Sequence, residues 1–193
     1  MGGIPRTRQS RHMASKATIH KAQLQIADMD RHYYADHSLT VARHPSETDE
    51  RMMVRLLAFS RHAGDSLAFG RGVSTDDEPD LWVKDLTGTI EHWIQLGQPD
   101  EKDIRKACGR SRQVTLYTYS GHGASLWWEQ YHSKLATLSN LTVIDVDVAS
   151  VQSLATLAAK SMSLNCTIQD GMLWLANPEQ SVEVMLTERQ RAT

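Results

Sequence analysis

Between Leu81 and Lys160 the sequence changes repeatedly between a period of two and a period near three and a half, and this limits its folds more than any other feature. "PDLWVKD" and "TIEHWIQLG" read as short strands joined by a turn containing Gly88, and "DEKDIRKACGRSRQ" reads as a helix. "VTLYTYS" is then a strand, "ASLWWEQYHSKLATL" a helix, "LTVIDVD" a strand and "ASVQSLATLAAK" a helix. Strands separated by helices pair in parallel, because a helix can return the chain along the sheet and a tight turn cannot. The pattern therefore predicts a mixed α/β fold with at least one parallel pairing. Asp100, Glu101 and Asp103 near the start of the first of these helices, with arginines near its end, follow the charge order that a helix dipole favours.

The flanks have a different rhythm. "ATIHKAQLQIADMD" sets Ile19, Leu24 and Ile26 among polar residues, which predicts a half-buried strand ending in a turn at "DMD". A second strand is expected at "SLTVAR", after an irregular "HYYADH". "HPSETDERMMVRLLAFSRHAG" predicts a helix, with Ser46 and Asp49 as its capping box and Met52, Met53, Leu56, Leu57 and Phe59 at helical spacing. Gly64 is its expected end. "SLAFGRGV" is a short strand, "SLNCTIQDGMLWLA" a hairpin turning at Asp170 and Gly171, and "SVEVMLTE" one final strand. Strands at both ends of the chain are expected to pair with one another as a second sheet or to extend the central one.

A chain of 193 residues, 40% of them hydrophobic, can bury one core and is short for two. We expect a single domain over residues 13–193. The Arg-, Gly- and Ser-rich opening, residues 1–12, reads as an appended leader, with Met13 as the native start. Without its three arginines the formal charge falls from -2 to -5. That acidic body argues against a sequence-independent nucleic-acid coat, which needs a dominant basic field, while leaving room for a local basic groove. No apolar run reaches the length of a spanning helix, so no membrane association is expected and a cytoplasmic location is. Cys108 and Cys166 are far apart without ligand spacing and read as reduced, buried thiols. The nine histidines form no metal-ligand pattern.

Chemistry concentrates in "PDLWVKDLTGTIEHWIQLG", residues 79–97. The order helix, strand, strand opening with Pro-Asp, strand closing on an acid-like residue, helix, strand is that of a metal-dependent nuclease core. In such a core, carboxylates from two adjacent strands hold Mg²⁺ beside the scissile phosphate, and a lysine neutralises the charge that develops. A hairpin here would bring Asp80 and Gln95 to one edge of a sheet.

The segments "LTVARHPSETDERMMVRLLAF", "DDEP", "WIQLG", "RKAC" and "TIQDG" resemble the YaeQ family of bacterial proteins, and the resemblance covers nearly the whole chain from Met13. It implies a variant of the PD-(D/E)XK restriction-endonuclease-like fold, a mixed sheet flanked by helices. Carried over by residue, Pro79 and Asp80 match the first half of the motif. Gln95 stands where the second acid belongs, and Gly97 stands where the lysine belongs. Glutamine offers a cation one neutral oxygen and glycine offers none, so the pull on Mg²⁺ is weakened. Two residues could compensate: Lys106, in the following helix, as the displaced base, and Glu50, one turn before Met53, as a helix-borne acid. The candidate Mg²⁺ ligands are thus Glu50, Asp80 and Gln95, with Lys106 facing the phosphate.

Each assignment has a plainer alternative. Asp80 could be a strand-start acid, Gln95 an edge-facing polar residue and Glu50 an acid favouring the helix dipole. Asp76, Asp77 and Glu78 could be a solvated loop or replacement carboxylates. Lys102, Arg105, Arg110 and Arg112 fit an exposed helix face, and Trp127, Trp128, Tyr131 and Leu135 fit a core stripe. The reading favoured is a degenerate nuclease frame that binds nucleic acid or a protein partner with reduced or absent hydrolysis. The alternatives are a Mg²⁺-dependent phosphodiesterase and a protein-interaction module in gene-expression control.

Overall fold

The computed structural model describes residues 16–71 and 77–193. The expected leader and Met13 lie outside them, as does Asp76. The described residues open with two long antiparallel strands, β1 (Thr18–Asp28) and β2 (Tyr33–Arg43), paired residue for residue along their whole length. In β1 the even-numbered residues from His20 to Asp28 are buried and nearly all the others exposed, as expected for a sheet with one wet face. β2 begins earlier than the sequence suggests and takes in "YYADH", with His32 left in the turn before it. Its inward set there is Tyr33, Ala35 and His37, only half-buried, so the alternation is weak in the sequence.

α1 (Asp49–His62) follows. Its N-cap is Thr48, whose Oγ1 accepts from Arg51 N, and not Ser46, which bonds the His44 ring. Every residue from Met52 to Ser60 is buried, because the helix lies between two sheets. β3 (Leu67–Phe69), β4 (Leu81–Lys84) and β5 (Ile90–Leu96) form an antiparallel meander. Then come α2 (Glu101–Arg110), β6 (Ser111–Thr118), α3 (His122–Leu135), β7 (Leu141–Val146) and α4 (Val148–Ala155), with β5, β6 and β7 parallel as the alternation predicts.

β8 (Ser161–Gln169) and β9 (Met172–Ala176) form the expected hairpin, and Asp170 and Gly171 at its tip both have positive φ, as a two-residue hairpin turn requires. The last expected strand divides in two. β10 (Ser181–Val184) pairs with β9, and β11 (Leu186–Gln190) crosses to pair with β7.

The result is two mixed sheets, ordered β10-β9-β8-β1-β2 and β11-β7-β6-β5-β4-β3. The terminal strands thus both build a second sheet and extend the central one. The larger core joins α1 and α4 to residues of both sheets, from Leu24 and Leu164 on one side to Ile94 and Val146 on the other. A second core lies on the outer side of the six-stranded sheet, where α2 and α3 bring Ile104, Ala107, Trp127 and Leu135 against Trp93, Leu116 and Val143. The helical stripe of Trp127 and Leu135 is therefore core, with Trp128 and Tyr131 packed beside it. Cys166 is buried, Cys108 is half-buried, and both are free thiols that burial pushes up to about 11. No helix among the described residues is long and apolar enough to cross a membrane.

Candidate functional site

The β4–β5 hairpin forms as the sequence predicts. Leu81 pairs with Ile94, so Asp80 and Gln95 occupy neighbouring positions one step beyond the first paired residues. Their side chains then part. Asp80 precedes the strand and turns inward, where one carboxylate oxygen accepts from Arg51 Nη2 of α1 at 2.6 Å. The other oxygen accepts from the Leu96 backbone N–H at 2.8 Å, at the end of β5 where β4 no longer pairs. Gln95 lies on the outer side, and its Oε1 accepts from Trp93 Nε1 at 2.9 Å.

Arg51 belongs to a buried ionic group that the sequence reading missed. Its Nη1 also donates to Glu47 Oε1 at 3.2 Å, and Arg55 Nη2 donates to Glu47 Oε2 at 2.9 Å. Glu47, Arg55 and Asp80 are all more than nine-tenths buried. Two carboxylates therefore meet two guanidinium groups, and the charges balance. Burial works to lower the pKa of both arginines, and it prevails at Arg55. At Arg51 the charge and hydrogen bond of Asp80 outweigh burial and raise it. Arg51 and Arg55 stand one helical turn apart within an apolar run, with Glu47 one turn earlier; that spacing was the available signal.

The inward acid near the start of α1 is Glu47. Glu50 is half-buried and has no side-chain hydrogen bond or ion pair among the described residues. Lys106 is exposed and its Nζ donates to Asp77 Oδ1 at 2.6 Å, while Arg110 approaches the same oxygen at 3.5 Å. Glu78 pairs with Arg71. No hydrogen bond or ion pair among the described residues joins any two of Glu50, Asp80, Gln95 and Lys106. Nor, among those residues, do three His, Cys, Asp or Glu side chains gather in a cage fit for a cation.

On the outer side, Gln95 and Lys106 lie at two points of one continuous row of contacts. Lys84 Nζ sits 3.5 Å from the centre of the Trp82 ring, and Trp82 meets Trp93 edge to face at 6.5 Å. Arg110 lies 5.8 Å from the Trp93 ring centre and reaches, through Asp77, to Lys106. Arg112, at the start of β6, pairs with Glu91 of β5. These cations are largely exposed, so water and salt screen their pairs.

A second polar group closes the other end of α1. His62 Nε2 lies 2.7 Å from Tyr117 Oη, to which Arg61 Nη1 also donates, and the His62 and His92 rings meet edge to face at 4.9 Å. His92 Nε2 is 2.8 Å from Thr115 Oγ1. Burial holds His92 down to about 4, and burial, joined by the charges of His92 and Arg61, holds His62 well below the ordinary imidazole value.

The family described as "YaeQ protein" matches residues 13–186. The chain belongs to the YaeQ family. The "Uncharacterized protein YaeQ" of Escherichia coli (strain K12) is 46% identical over 179 residues, 93% of this chain and 99% of that one. The Salmonella typhi YaeQ is 45% identical over the same span. The crystal structure of YaeQ from Xanthomonas axonopodis pv. citri superposes with a TM-score of 0.88 at 49% identity, covering 92% of this chain and 99% of that one. YaeQ from Pseudomonas syringae gives 0.87 at 33% identity, over 91% and 97%. The two-sheet arrangement around a buried α1 is thus shared with YaeQ proteins whose sequences have diverged by half or more.

Proposed function

We propose that this protein is a nuclease-like frame that binds nucleic acid along the outer face of β4, β5 and α2, with hydrolysis reduced or lost. The observation that carries the reading is the balance of charge around Asp80. Both of its oxygens are engaged, one by Arg51 and one by Leu96 N–H, and its neighbour Glu47 is held by two arginines. Mg²⁺ is attracted by uncompensated carboxylates with free lone pairs, and these residues as placed do not fit a resident ion. Gln95, with its oxygen on Trp93, adds no charge.

Binding is supported by the row Lys84, Trp82, Trp93, Arg110 and Lys106, in which two adjoining indoles are flanked by cations. Phosphates meet lysine and arginine through charge, and a base can stack on an indole that is half exposed, as Trp82 is. Asp77, on an exposed turn, occupies Lys106 and Arg110 in the free protein, and a phosphate offers these cations anionic acceptor oxygens as the carboxylate does.

The test is a salt titration of binding to a single-stranded and a duplex probe. Lys106→Ala should weaken binding and lower the slope of log affinity against log salt by roughly 1. Asp77→Asn should tighten it. In Mg²⁺ or Mn²⁺, fragments should not exceed those produced by Asp80→Asn; cleavage lost only in that variant would instead establish a metal-dependent phosphodiesterase. Absence of any shift at low salt would remove nucleic acid and leave a protein partner.

A further inference from the structure

Each of the two sheets has two lateral edges, and three of the four are guarded. β10 has 4 residues and β3 has 3, while β11 carries Glu188 and Arg189 and is interrupted by a bulge between Glu188 and Gln190. Short strands, charges and bulges are how sheets avoid pairing with other chains. β2 lacks the first and last of these devices, and its charges are confined to Asp36 and to Arg43 at its last position. It is 11 residues long, keeps register with β1 throughout, and contains neither proline nor lysine.

Its neighbour fixes which groups it offers. Lys21 N–H donates to Lys160 O and Met29 N–H to Ile168 O, so the odd-numbered residues of β1 turn their backbone groups toward β8. The even-numbered residues must then serve β2, and the register pairs them with odd-numbered partners such as Leu39 and His37. Tyr34, Asp36, Ser38, Thr40 and Ala42 consequently direct their N–H and C=O groups to the open edge. Among the described residues only one of these groups has a partner, the Ala42 carbonyl, which accepts from Arg55 Nη2 at 3.0 Å.

We propose that β2 pairs antiparallel with β2 of a second copy of this chain, about a two-fold axis through Ser38, joining two five-stranded sheets into one. The sequence of the strand is complementary to itself in this register. Ser38 faces its counterpart, Asp36 faces Thr40 and Tyr34 faces Ala42, all residues whose backbone groups point outward. On the inner side Ala35 faces Val41, His37 faces Leu39 and Tyr33 faces Arg43, so no like charges meet. A centre at Ser38 also engages the greatest number of open backbone groups, since it is the midpoint of Tyr33–Arg43.

Light scattering or sedimentation of the full chain should give twice 21.7 kDa. Ser38→Pro removes an N–H that the β1–β2 ladder does not use, so it should leave the circular dichroism unchanged and yield a monomer. Ser38→Lys places two ammonium groups together on the axis and should also yield a monomer, with partial recovery of the dimer in high salt. Amide exchange at Tyr34, Asp36, Ser38 and Thr40 should be slow in the unaltered chain, and at Tyr34, Asp36 and Thr40 it should be fast in both variants. A monomeric unaltered chain, or a dimer that both variants preserve, overturns the proposal. So does protection of those four amides in a monomer, which would place a segment of the same chain on the edge. If Ser38→Pro fails to fold, Ser38→Lys decides.

Discussion

Asp80 has only 6% of its side chain exposed, and Arg51 only 19%, so neither charge has water to fall back on if the other is removed. Asp80→Ala should cost about 3–5 kcal/mol in urea unfolding, the range for breaking a buried pair. Asp80→Asn, which can still accept from Leu96 N–H, should cost distinctly less. The two histidines at the far end of α1 act in the opposite sense. Both are held below their unfolded value of about 6.5, so the unfolded chain takes up protons that the folded chain refuses. Stability should be full above that pH and decline as pH falls through 6.5 toward 4. Calorimetry across this range should show the melting temperature falling, and His92→Gln should flatten the fall. The sequence revealed Asp80 and Gln95 as neighbours because strand register is periodic. It did not reveal their partners, because Asp80 lies just outside the strand and alternation no longer governs its direction. Thr48 was overlooked as a cap for a related reason: Ser46, Thr48 and Asp49 all suit that position, and only the backbone chooses among them.

At the scale of elements, periodicity served best where one face is dry. β1, α2 and the β8–β9 hairpin match their sequence patterns within a few residues, since each has a clear buried side. "SVEVMLTE" misled because its alternation continues across Met185 while the chain leaves one sheet for the other; Met185 itself is exposed, with its N–H held by Ser150 Oγ. β11 buries little apolar surface and depends on polar ties. The side-chain amide of Gln190 reaches the carbonyls of Leu135, Leu138 and Leu141, at 3.0 to 3.3 Å, where α3 turns into β7. The Leu135 and Leu138 carbonyls also accept from the Leu138 and Leu141 N–H groups, so Gln190→Ala chiefly takes a donor from the Leu141 carbonyl; it should cost about 1–3 kcal/mol and speed amide exchange along β11 more than elsewhere.

The whole molecule is organised around α1, which a sequence pattern presents as an amphipathic helix and the structure surrounds with a sheet on each side. Leu56 and Leu57 are fully buried among side chains drawn from both sheets. Leu56→Ala should cost about 2–5 kcal/mol. Because the helix is common to both sheets, unfolding should follow a single transition: tryptophan fluorescence, from Trp82 and Trp93 in one sheet and Trp174 in the other, should coincide with far-ultraviolet circular dichroism in the wild type and in Leu56→Ala.

The parallel pairing of β1 with β8 spans most of the chain; the His20 ring bonds the Ala159 carbonyl across 139 positions. During synthesis, the β1–β2 hairpin must therefore wait, with both flanks bare, until the 139 positions from His20 to Ala159 have been translated. Its nearest suitor in a crowded polysome is the same hairpin on the adjacent nascent chain.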